Sequence, residues 1–119
     1  MPSVPSKNPA QRLCDIVDNI DAIREFSAGM DYSAFASDRR TLYAVIRALE
    51  IISEATKRLP VEAKDRHPGI DWVAVAAAGN IYRHEYESMD ENLIWRTIQH
   101  DLDALRMVAA AELDRLKSP

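Results

Sequence analysis

The chain has 119 residues, of which 47% are hydrophobic and 29% charged, with a formal net charge of −4 and one cysteine. This length suits one domain that folds without staples, and the composition excludes a disordered chain. A single cysteine, Cys14, excludes an internal disulfide framework and fits a reducing cytoplasm, and the acidic balance argues against a strongly basic nucleic-acid binder.

The opening, MPSVPSKNPAQR, has no apolar core, so residues 1–8 read as a flexible tail rather than a secretion signal. Asn8 and Pro9 suit a helix start, and Leu13, Ile16, Val17, Ile20 and Ile23 recur at helical spacing. Cys14 sits on this pattern as a small buried hydrophobe. SAGMDYSAFASD then reads as a break, with Gly29 near the C-cap.

Ser37 or Asp38 caps a second predicted helix, whose buried stripe is Leu42, Val45, Ile46, Leu49, Ile52 and Thr56. Pro60 stops it. PVEAKDRHPGI is a polar connector with room for one short turn of helix. Asp71 caps a third helix, WVAVAAAGNIY. Ser88 with Glu91 forms a capping box, with Asp90 as a competing cap, and a fourth helix runs from there almost to the end. Its stripe is Leu93, Ile94, Ile98, Leu102, Leu105, Ala109 and Leu113. With no strand-like alternation, the prediction is an all-α fold. It is an antiparallel bundle of four main helices with one short extra turn, in a single domain over residues 9–116. The longest apolar run, Val73 to Ala78, is too short to span a bilayer, so no membrane is implicated.

Charge is uneven along the chain. Residues 39–66 hold seven basic against four acidic side chains, including Arg39, Arg40 and Arg47, while residues 83–91 hold Arg83 against four acids. Of three histidines, His67 reads as a solvated loop residue and His100 as a helix-surface residue. No histidine pair has metal-ligand spacing, so no metal site is expected. His84 falls where a helical pattern gives way to a new cap. His84 and Tyr86 share a side only if the helix ends near Arg83. A histidine beside a phenol can serve acid–base chemistry or hold a phosphate. The same pair can also simply close a corner between two helices, and the residues alone leave both open.

AVIRALEIISEATKRLP, HPGIDWVAVAAAGNIYRHEY and LIWRTIQHDLDAL, in this order, resemble the HepT family of the HEPN superfamily across residues 10 to 110. The resemblance implies a small helical homodimer acting as the toxin of a two-gene toxin–antitoxin module. It implies RNA cleavage without metal or cofactor, and a partner nucleotidyltransferase antitoxin of the MntA type that silences the toxin by transferring AMP to a tyrosine. The family motif is an arginine, four to six residues, a histidine, any residue, then tyrosine, with a polar residue often following the arginine. Residue by residue, His84 matches the histidine, Tyr86 the tyrosine and Asn80 the polar residue. The arginine positions hold Ala77, Ala78 and Gly79. Arg83 is the nearest cation, and Arg47 and Arg40 on the basic helix are further candidates for RNA contact. Three readings follow: a ribonuclease with a relocated cation, a HepT-like binding partner with weakened catalysis, or a helical interaction module.

Overall fold

The computed structural model describes residues 8–84 and 90–117, and side chains for all of these except 80–84. Seven helices are described: α1 (Pro9–Phe26), α2 (Tyr32–Ser37), α3 (Arg39–Lys57), α4 (Val61–Asp65), α5 (Trp72–His84), α6 (Glu91–His100) and α7 (Leu102–Lys117). Among the described residues there is no strand, so the all-α expectation holds. No helix among them is long and apolar enough to cross a membrane.

Helix α1 starts as the sequence predicts. The Asn8 side chain accepts a hydrogen bond from the Gln11 N–H, Pro9 occupies the first turn, and Leu13, Ile16, Ile20 and Ile23 are buried. Each such aliphatic contributes about 1.5–3 kcal/mol on leaving water. Cys14 is half-buried on the same helix. Gly29 has φ of 75°, the left-handed conformation that turns the chain after α1.

Two expectations are corrected. The supposed break at residues 27–38 contains α2, capped by Asp31, whose carboxylate accepts from the Ala34 N–H at 2.8 Å. Burial of one ring decides this: Phe35 is fully buried, with its centroid 5.0 Å from that of Trp95. The long final helix is instead two, α6 and α7, broken at Asp101. The two pieces have different partners: α6 packs on α2, and α7 packs on α1. One straight helix could not reach both.

The α1–α7 pairing is antiparallel, since Arg106 binds Asp21 through two hydrogen bonds of 2.7 and 3.0 Å while Arg24 pairs with Asp103. The open cap choices also resolve. Asp38 caps α3 by accepting from the Thr41 N–H, whereas Ser37 donates back to the Ser33 carbonyl. Asp90 caps α6 by accepting from the Leu93 N–H, and Ser88 lies outside the described residues. The predicted short turn in the connector is α4.

Candidate functional site

The motif lies on α5, and its neighbours set where that helix sits. Asp71 caps it, accepting from the Ala74 N–H at 3.0 Å. The Trp72 indole N–H donates to the carbonyls of Lys64 and His67, both at 3.1 Å, fastening the start of α5 to the connector. Ser53 of α3 fastens the middle. Its hydroxyl donates to the Ala76 carbonyl at 2.7 Å and accepts from the Gly79 N–H at 3.2 Å.

Gly79 is buried at this crossing. A Cβ there would lie 2.6 Å from the Ser53 Oγ and 2.7 Å from its Cβ, with the Glu50 Cα next at 3.8 Å. Position 79 therefore has no room for a side chain while Ser53 is present. Of the other two positions where the motif arginine could fall, Ala77 is exposed and Ala78 lines a cavity.

Helices α3 and α5 run antiparallel, because Ser53 meets 76 and 79 whereas Glu50, a turn earlier on α3, meets 79. Stepping back along α3 thus moves toward the His84 end of α5. Arg47, two turns before Ser53, lies on that side with its side chain 71% exposed and 3.4 Å from Glu50. Arg40 is exposed nearer the start of α3. Positions 76 and 79 meet α3, and by backbone spacing 80 and 83 follow them by four residues each. Asn80, Arg83 and His84 lie on the last described turns of α5, with their side chains outside the described residues. Tyr86 lies wholly outside them, as does the geometry of the His84–Tyr86 pair.

A cavity of about 500 Å³ opens between α3, α5, α6 and α7, lined chiefly by apolar residues such as Leu49, Ile52, Val75 and Leu105. Among the described residues no lysine or arginine lines it, so these supply none of the charge an RNA phosphate needs. His100 borders it and is exposed at the end of α6, as expected. Among the described residues, no cluster of three or more His, Cys, Asp or Glu side chains could hold a metal.

His67 corrects an expectation. Rather than a solvated loop residue, it sits 2.8 Å from Glu112 Oε2, and Arg66 grips the same carboxylate with hydrogen bonds of 3.1 and 2.5 Å. Glu112 is buried in α7 and held at a pKa of about 2, first through the Arg66 hydrogen bonds, with His67 adding to the effect. A carboxylate so acidic is a poor proton donor or acceptor at neutral pH. The cluster ties the connector before α5 to α7. The expected stripe passed over Glu112, though the one signal for it lies in the sequence: Glu112 follows Leu105 and Ala109 at helical spacing, and a carboxylate buried there requires donors.

The all-helical bundle, with no strand among the described residues, is consistent with a HEPN-like fold. The Ribonuclease HepT-like family profile matches residues 16–111, and the chain belongs to this family. A protein of Thermococcus cleftensis named "Probable ribonuclease HepT" is 38% identical over 94 residues, 79% of this chain and 86% of that protein. Two candidate RNases of Methanocaldococcus jannaschii are 32% identical over 94 residues (79% and 86% of the two chains) and 30% identical over 103 (87% and 89%). No solved structure gives a significant match.

Proposed function

We propose that this chain is a metal-independent RNA endonuclease, the toxin of a toxin–antitoxin pair acting in the cytoplasm. The family match across residues 16–111, which spans the His84-x-Tyr86 motif, carries this reading. His84 acts as general base, removing the proton of an RNA 2′-hydroxyl. The freed oxygen attacks the adjacent phosphorus, the bond to the 5′-oxygen breaks, and the departing oxygen takes up a proton. The products are a 2′,3′-cyclic phosphate and a 5′-hydroxyl.

Negative charge builds on the phosphoryl oxygens during this step, and preorganised donors there contribute on the order of 10²–10³ in rate. Arg83 supplies them. It follows Gly79 by four residues on one stripe of α5, so the cation moves one turn along the helix from the closed position, about 6 Å. A guanidinium can grip two oxygens at once. Asn80, on the same stripe, orients the phosphate, while Arg40 and Arg47 hold the flanking strand. Tyr86 is the acceptor through which a nucleotidyltransferase antitoxin of the MntA type silences the enzyme. Its phenolic oxygen attacks the α-phosphorus of ATP, and pyrophosphate leaves. The toxin works as a homodimer, supported by an exposed apolar strip on α5 made by Val73 (81% exposed), Ala74 and Ala77.

A second reading, a HepT-like partner of the nucleotidyltransferase with weakened catalysis, is favoured by one observation: the closed position at Gly79. Incubating the purified protein with defined RNA in EDTA separates the two. Cleavage abolished by His84→Ala and by Arg83→Ala supports the nuclease. Intact RNA at high protein concentration, with tight nucleotidyltransferase binding, supports the partner.

A further inference from the structure

On the outer face of α3, beside the stripe that meets α5, an aromatic ring sits among three arginines. Tyr43 is 46% exposed. Arg39 places its guanidinium carbon 5.5 Å from the Tyr43 ring centroid and donates to the phenolic oxygen at 3.1 Å. Arg40 and Arg47 are exposed three residues before and four residues after Tyr43, on the same side of the helix. An exposed tyrosine in a soluble helix needs no explanation by itself. Three cations around it, one already ordered against the ring, give it the makeup of a base-stacking platform.

We propose that Tyr43, flanked by Arg39, Arg40 and Arg47, is the platform on which single-stranded RNA lays a base next to the cleavage site. This rests on the RNA-cleaving reading and adds the form of the substrate. The antiparallel register gives the path. Helix α3, followed backward from Ser53 through Glu50, Arg47 and Tyr43, runs the way α5 runs toward His84. A strand whose phosphate reaches the end of α5 therefore continues along this face. Arg47 and Arg40 meet its backbone, and a base turned inward stacks on the ring. Glu50, 3.4 Å from Arg47, exchanges that cation with the phosphate as the strand arrives. A duplex keeps its base faces covered and could use only the charges, so the ring favours unpaired RNA.

The test uses the full chain and a short 2′-O-methyl RNA, which cannot be cleaved, carrying one 2-aminopurine. Anisotropy reads affinity and the 2-aminopurine emission reads stacking. Tyr43→Ala is expected to weaken binding on the order of tenfold and to restore emission quenched by the wild type, whereas Tyr43→Phe keeps both near wild type. Arg47→Gln is expected to make the salt dependence shallower by about 0.7 in log–log slope. Unchanged affinity and quenching in Tyr43→Ala would overturn the proposal. So would equal binding of duplex RNA, or of an acidic polypeptide, with no dependence on Tyr43; either would mark a surface read by charge alone. Quenching lost in Tyr43→Ala supports the platform even if the wild type cuts no RNA, which would sink only the nuclease reading. Cleavage by the wild type with an unchanged KM in Tyr43→Ala would sink only the platform.

Discussion

The Ser53 hydroxyl bridges two backbone groups of α5, donating to the Ala76 carbonyl and accepting from the Gly79 N–H, and fills the space a side chain at 79 would need. The glycine at a motif-arginine position is thus part of a packed crossing. Overpacking of this kind costs about 1–3 kcal/mol, while alanine recovers about 1 kcal/mol of helix propensity over glycine. Gly79→Ala should therefore lower stability modestly and Gly79→Arg more. Ser53→Gly removes both close atoms, so the Ser53→Gly, Gly79→Arg pair should lose at least 1 kcal/mol less than the sum of its single changes. Chemical denaturation of the four proteins measures this coupling, and strict additivity would contradict the steric pairing.

Glu112 sets an acid limit on stability. Its folded pKa of about 2 lies below the ordinary 4.5, so its contribution is fully present above about pH 4.5 and drains away as pH falls toward 2. The shift corresponds to about 3 kcal/mol. Glu112→Gln should remove that acid-sensitive part and destabilise the fold at neutral pH, since Arg66 loses its charged partner. Denaturant midpoints between pH 2 and 7 for both proteins check this. Parallel pH profiles would contradict it.

Phe35 holds α2 and α6 together through Trp95. Phe35→Ala should cost about 3–5 kcal/mol, a core-sized loss from a six-residue helix. A thermal melt near wild type would show that α2 contributes little to the fold.

How far the sequence reached varies with length and partner. The stripes of α1 and α3 were legible because four or more aliphatics repeat over several turns. Helix α2 was not, since six residues are too few for a period and its one signal is Phe35. The break at Asp101 was hidden because Ile98, Leu102 and Leu105 keep helical spacing across it, with no glycine or proline to mark a stop. At the proposed site, His84 and Tyr86 match the family motif by sequence alone, and their side chains lie outside the described residues. The role of Ser53 was not legible. A serine inside a helix reads as an ordinary polar residue until the neighbouring helix is seen against it. His67 reads as solvated for the same reason, because its partner Glu112 lies 45 residues away.

Tyr86 yields a prediction of its own. Incubation with ATP, magnesium and a nucleotidyltransferase of the MntA type should add the mass of AMP at this residue and suppress RNA cleavage. Peptide mass spectrometry locates the adduct. Labelling that persists in Tyr86→Phe would place the acceptor elsewhere.

The most direct measurement is cleavage of a defined RNA by the purified protein in excess EDTA, compared with His84→Ala at equal concentration. Fragments ending in a 2′,3′-cyclic phosphate are expected from the wild type, with a loss of at least about 10²-fold in the variant. Equal cleavage by both proteins, or cleavage that appears only when a divalent metal is added, would contradict the proposed mechanism.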